Sequence, residues 1–202
     1  MIVVIDYKAG NLTSVLKALD ALGAASVTVT ADPAVIRQAE RIILPGVGHF
    51  RATQVLEDSG LTSAVRHSIA DGTPFLGICV GLQWLFAGST EAPDVPGLGA
   101  FPGVCERFVT EQKVPHVGWN ALSIQGGSRL MQGVDDGAYV YYTHSYRAPL
   151  TAYSVATTEY GGSAFSGAVE RGNVMGVQFH PEKSGTAGLQ VLRNFLSWQS
   201  PC

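Results

Sequence analysis

The sequence predicts an α/β fold with a mostly parallel central sheet flanked by helices and an antiparallel excursion in its second half. Three observations lead there. Through Ala87, short β-branched runs alternate with segments of helical periodicity, as βαβ units require. After Gly88 the runs become short and partly alternating, as hairpins do. The chain then closes with one more apolar strand and an amphipathic helix.

In order, Ile2–Ile5 (IVVI) reads as a buried strand, and Asp6–Asn11 as a polar loop. Leu12–Leu22 places Val15, Leu16, Leu19 and Leu22 at helical spacing, and Gly23 ends that helix. Val27–Val29 is a second strand. Asp32-Pro33 is a cap and first-turn pair that opens a short helix to Ala39. Arg41–Leu44 is a third strand, stopped by Pro45-Gly46-Val47-Gly48. Gln54–Leu56 and Leu61–Ala70 are helical, with a break near Gly60. Thr73–Ile78 is a fourth strand with Cys79 at its end, and Val80–Phe86 a helix. Ser89–Gly103, rich in Gly and Pro, is loop. Tyr139–Thr143, Tyr153–Thr157 and Phe165–Val169 are hairpin strands. Val174–Phe179 is the closing strand, followed by His180-Pro181-Glu182, and Gly188–Trp198 is the closing helix.

The chain has 202 residues, enough for one domain (1–202) that buries roughly 70% of its unfolded surface without disulfide or metal. Its formal net charge is −3 and its basic residues are scattered, which argues against a nucleic-acid partner. Cys79, Cys105 and Cys202 lack metal-ligand spacing and read as thiols of a reducing compartment. No metal or cofactor is expected. Met1–Asp6 has no basic segment and cleavage site, and no apolar run reaches membrane-spanning length, so a cytoplasmic protein with no membrane partner is expected.

Gly77-Ile78-Cys79-Val80-Gly81 repeats the shape of the nucleophile elbow known with serine. A tight strand-to-helix turn needs small flanking residues, and it presents its side chain beside backbone N–H groups that favour a thiolate and an oxyanion. A lone cysteine after an apolar strand is as readily a buried small hydrophobe, so the elbow alone leaves the question open. A thiol nucleophile needs a base, and the base an orienter. His180-Pro181-Glu182, after the closing strand, offers both at the same edge of the sheet. Val80 N–H is one candidate oxyanion donor, and Gly46, Val47 and Gly48 supply the other, since glycines let a backbone N–H face a ligand.

Six segments together are recognisable. They are Ile5–Leu12 (IDYKAGNL), Pro45–Gly48 (PGVG), Gly77–Gln83 (GICVGLQ), Pro115–Asn120 (PHVGWN), Tyr141–Tyr146 (YYTHSY) and Gln178–Ser184 (QFHPEKS). The chain resembles, over essentially its whole length, the glutaminase subunits of imidazole glycerol phosphate synthase, a family of class I (triad-type) glutamine amidotransferases. The elbow and His-Pro-Glu segments are common to triad amidotransferases, whereas PHVGWN and YYTHSY select the subfamily.

The resemblance implies a flavodoxin-like amidotransferase fold and glutamine as substrate. It makes Cys79 the nucleophile, His180 the general base and acid, and Glu182 the orienter. Gln83, Glu91, Ser145 and Tyr146 would hold glutamine. Asn11, Trp119, Tyr141 and Lys183 would face the ammonia path and the partner, a (β/α)₈-barrel cyclase subunit in a heterodimer. Val80, Leu82, Val117 and Thr143 depart from the family's usual Leu, Met, Met and Val, and His49-Phe50-Arg51 from its usual small residues. The alternatives are a glutaminase subunit of another ammonia-channelling synthase such as pyridoxal phosphate synthase, a partner-free cysteine peptidase or deglycase, and a non-catalytic binding module.

Overall fold

The structure, a computed structural model, describes residues 1–199. The elements are β1 (Ile2–Ile5), α1 (Leu12–Ala21), β2 (Val27–Thr30), α2 (Pro33–Ile36), β3 (Arg41–Gly46), α3 (Gln54–Asp58), α4 (Leu61–Ala70), β4 (Phe75–Cys79) and α5 (Val80–Trp84) in the first half. The second half holds β5 (Glu106–Arg107), β6 (His116–Ala121), β7 (Ser123–Ile124), β8 (Tyr139–His144), β9 (Tyr146–Arg147), β10 (Ser154–Tyr160), β11 (Ser163–Arg171), β12 (Val174–Val177) and α6 (Gly185–Leu196). Short 3₁₀ turns occupy Phe50–Thr53 and Pro181–Lys183.

One sheet of eight strands runs β2-β1-β3-β4-β12-β11-β10-β7. Its first five strands are mutually parallel and its last three antiparallel. The α/β expectation therefore holds, as does the antiparallel excursion. Strands β1, β4 and β12 are buried throughout, which is why they read as unbroken apolar runs. Edge strand β2 alternates Val and Thr and is only half-buried. Two-stranded ribbons β5–β9 and β6–β8 stand apart from the main sheet.

Local chemistry sets the helix ends. Gly23 follows α1 at φ +71°, and Gly60 separates α3 from α4 at φ +77°. The Asp32 carboxylate accepts the Ala34 N–H at 2.8 Å ahead of Pro33. That helix stops at Ile36 rather than Ala39. The closing helix also differs from its expected span, beginning at Gly185 and ending at Leu196. Gly188 is not its start signal, because it lies within the helix where a Cβ would run into the Pro181 carbonyl.

Two departures matter for the site. Pro45 does not stop β3, which runs on to Gly46. On one side β1 pairs only as far as Ile43, so no ladder bond there needs an N–H from Pro45. On the other side β4 continues, setting Pro45 opposite Ile78 and Gly46 opposite Cys79. The closing strand, in turn, ends at Val177 rather than Phe179. Beyond it the Gln178 N–H donates to the Gly167 carbonyl and the His180 N–H to the Tyr141 carbonyl, at 2.8 and 2.9 Å, so the chain leaves β4 for the β8 ribbon.

Candidate active site

Cys79 closes β4 and heads α5 with φ +54° and ψ −106°, a region that non-glycine residues occupy only under constraint. Its neighbours impose that constraint. A Cβ on Gly77 would strike the Gly81 carbonyl, and one on Gly81 the Leu44 carbonyl. Both glycines thus let the turn close onto β3, and the Cys79 thiol is left at the carboxyl edge of the sheet, where α/β folds gather their ligands.

His180 and Glu182 meet this edge from the 3₁₀ turn after β12. His180 Nδ1 lies 2.8 Å from Glu182 Oε1, and both side chains are 1% exposed. Ser184 braces the turn, its hydroxyl donating to the His180 carbonyl at 2.6 Å and accepting the Tyr141 N–H at 2.9 Å. His180 Nε2 has no hydrogen bond of regular geometry, yet it feels the sulfur. Burial opposes a charge on the imidazole, but the Cys79 thiolate and the Glu182 carboxylate outweigh it and raise His180 to about 10. Both neighbours thus favour the charged form of the imidazole. Tyr7 adds a buried hydroxyl with no partner beside Gly46, and burial, then Cys79, hold that phenol well above its usual range.

A cavity of about 200 Å³ opens over the sulfur. Gln83, Glu91, Ser145 and Tyr146, the residues expected to hold glutamine, all line it, together with Cys79, Val80 and Gly48. Gln83 Nε2 donates to the Tyr146 carbonyl at 2.8 Å. Glu91 accepts the Phe50 N–H at 2.7 Å and so ties the cavity rim to the segment after the glycines. Of the candidate oxyanion donors, Val80 opens α5 beside the thiol, whereas the Val47 N–H is spent on the Ala9 carbonyl at 3.1 Å. A larger cleft of about 600 Å³ lies between Trp119, Tyr139 and α6, and no cysteine lines it.

Trp119, Tyr141 and Lys183 cluster on the exposed side of the β6–β8 ribbon. The Trp119 and Tyr141 rings meet edge to face at 6.1 Å, and Lys183 Nζ sits 5.6 Å from the Tyr141 ring centroid. Trp119, Val117 and Tyr139 are more than half exposed there. Asn11 caps α1, which packs against the 181–183 turn, and its side chain makes no capping bond.

Sequence reasoning missed two features. Gln178, fully buried, approaches the thiol; its signal was an amide in an otherwise apolar run, which burial obliges to find partners. The other is a histidine relay behind Tyr146. The Tyr146 carbonyl can only accept, so His144 Nδ1, 2.8 Å away, carries the proton. His144 Nε2 must then accept from His116 Nδ1 at 3.2 Å, and His116 Nε2 from Asn120 Nδ2 at 3.4 Å. Both rings are neutral: burial lowers His116 to about 4 and His144 to about 3. Unfolded histidines take up protons near pH 6.5, so stability from this pair is complete above that pH and falls as pH drops toward the folded values. His180, raised instead, loses its contribution only as pH climbs through about 10. Thermal melts should therefore show stability falling between about pH 6 and 5 by roughly 1.4 kcal/mol per pH unit for each relay proton. A flat profile across that window would contradict the neutral relay.

The family model for class-I glutamine amidotransferases matches residues 3–198. Imidazole glycerol phosphate synthase subunit HisH of Methanothermobacter thermautotrophicus is 46% identical over 197 residues, covering 97% of this chain and 98% of that protein. The HisH subunit of Syntrophotalea carbinolica is 47% identical over 204 residues, covering 96% and 98%. Among solved structures, a glutamine amidotransferase superposes with a TM-score of 0.76 at 20% identity, covering 97% of both chains, and PurLQS from Thermotoga maritima with 0.74 at 20%, covering 96% of both; these likenesses bear on the fold. The chain belongs to the class-I glutamine amidotransferase family, among the HisH-type subunits of imidazole glycerol phosphate synthase.

Proposed function

We propose that the chain, as one amidotransferase domain, is the glutaminase of an imidazole glycerol phosphate synthase, working in the cytoplasm beside a barrel-shaped cyclase subunit. The observation that carries the reading is a thiol on a strained elbow that faces a buried His–Glu pair and a glutamine-sized cavity. Cys79 attacks the side-chain amide carbon of glutamine. The tetrahedral oxyanion falls toward the Val80 N–H and the Gly46–Gly48 loop. His180 gives its proton to the departing nitrogen, and ammonia leaves a γ-glutamyl thioester on Cys79. His180, now neutral, takes a proton from water; the hydroxide cleaves the thioester, and glutamate departs. Glu182 holds the Nδ1 proton throughout. Gln83, Glu91, Ser145 and Tyr146 bind the amino-acid end of the substrate.

Asn11, Trp119, Tyr141 and Lys183 mark the face where ammonia passes to the cyclase. That subunit, by the relatives' name, belongs to the synthase that makes imidazole glycerol phosphate; aminoimidazole carboxamide ribonucleotide is the co-product. Exposed aromatic rings on the β6–β8 ribbon support this face as the contact, since such rings are enriched where proteins bind.

Mixing the chain with such a cyclase, its nucleotide substrate and glutamine tests the assignment. We expect glutamate and cyclised product to form in equal amounts. Product formed from glutamine with the cyclase alone, or glutamate without product, would refute it. A glutaminase partnered with pyridoxal phosphate synthase would instead respond only to that barrel.

A further inference from the structure

The buried amide of Gln178 has an orientation that its neighbours dictate. The Tyr146 carbonyl can only accept, so the end of the Gln83 side chain facing it is the NH₂ group, at 2.8 Å. The other hydrogen of that group points to Gln178, whose facing atom must be the acceptor Oε1, at 3.3 Å. The remaining end of Gln178, its NH₂ group, is thereby turned onto the Cys79 sulfur at 3.8 Å. Reversing either amide would set two donors or two acceptors against each other at buried positions, since Gln178 is 0% and Gln83 2% exposed.

A thiol is a weak acceptor, whereas a thiolate accepts strongly. A donor that cannot turn away therefore favours the charged form of the sulfur. The ionisable groups facing that sulfur are His180 from the turn after β12, with Glu182 behind it, and Tyr7 from the segment after β1. Of these, His180 favours the thiolate through its charge, while Glu182 acts on the imidazole.

We propose that Gln178 is a further catalytic residue, an amide that donates to the Cys79 thiolate and ties it, through Gln83, to the Tyr146 carbonyl at the glutamine cavity. The proposal rests on Cys79 being the nucleophile. It gives one unbroken line of hydrogen bonds from the substrate-binding backbone to the reacting atom. A ligand that engages Tyr146 or Gln83 is then felt at the sulfur.

The test is alkylation of the full-length chain by iodoacetamide at neutral pH, with thiolate ultraviolet absorbance read alongside. Gln178→Met keeps volume but removes the donor. It should label Cys79 about tenfold more slowly and lose most of the thiolate absorbance. Gln178→Glu presents a carboxylate, which cannot donate, and should do the same or worse. A folded Gln178→Met variant with native labelling rate and absorbance would overturn the proposal. If neither variant folds, the native protein decides: the side-chain amide resonances of Gln178 should move when Cys79 is alkylated, and unmoved resonances would overturn it. Labelling that persists unchanged in Cys79→Ala would instead strike the underlying assignment of the nucleophile.

Discussion

Replacing Cys79 with alanine is expected to lower glutamine hydrolysis by roughly 10⁴-fold or more, to background, because no other group in the cavity can form the thioester. The fold should survive. Alanine keeps the Cβ that already occupies the strained φ of +54°, and the closure of the turn depends on Gly77 and Gly81 rather than on sulfur. The buried sulfur leaves only a small void, worth about 1 kcal/mol. The variant should therefore bind its partner normally and melt within a few degrees of the parent. Cys105 is the control. It is buried beneath the site with its sulfur 3.8 Å from the Gln83 carbonyl, and burial, then Glu106, push its thiol far up. It is a packing residue without a base, so Cys105→Ala should cost stability and leave turnover nearly intact. Cys202 lies outside the described residues. Normal turnover by Cys79→Ala in the presence of the cyclase would end the thioester mechanism for this chain.

Much of this site was legible because its parts are local. The elbow is five consecutive residues, and His180 and Glu182 are two apart. Element boundaries were less legible where tertiary pairing overrode punctuation. Pro45 reads as a stop, yet it lies in β3 because β1 has already ended beside it. Gly188 reads as a helix start, yet it is small because Pro181 passes close to it. The closing strand reads as longer than it is: the Gln178 N–H still donates to Gly167 of β11, but by His180 the backbone has turned to Tyr141 of β8. Long-range contacts outside the recognised segments' roles escaped. Nothing in the order of residues reveals that Gln178 meets Gln83 across 95 positions, or that His116 and His144 share a proton on facing strands. Gly46 is a similar case: a glycine in a Pro-Gly turn suggests freedom, but a Cβ there would lie 2.5 Å from the Tyr7 hydroxyl and 2.8 Å from the Val80 Cβ.

The isolated chain should be nearly inactive toward glutamine, and the complex with the cyclase and its nucleotide ligand faster by at least about a hundredfold. The reason lies in the oxyanion loop. In this structure the Val47 N–H, a donor the tetrahedral intermediate would use, is bound to the Ala9 carbonyl. Val80, at the head of α5, remains placed to meet the developing charge. Absence of one oxyanion donor costs about 3 to 4 kcal/mol, which is roughly a hundredfold or more in rate. The peptide between Gly46 and Val47 has to turn over to supply it. Gly46 meets no penalty of its own for such a turn, and Gly48, at φ +90° with open space around it, can absorb the change downstream. The Glu91 carboxylate, bound to the Phe50 N–H, anchors the far end, so movement stays within Gly46–His49. Because side chains at Gly46 would strike Tyr7 and Val80, substitution there disrupts packing as well as motion, and spectroscopy is the cleaner probe. Hydrogen exchange at the Val47 amide should quicken, and its resonance shift, when the nucleotide-loaded cyclase binds. Equal glutaminase rates for the free chain and the loaded complex at saturating glutamine, with an unmoved Val47 amide, would rule out this loop as the control point.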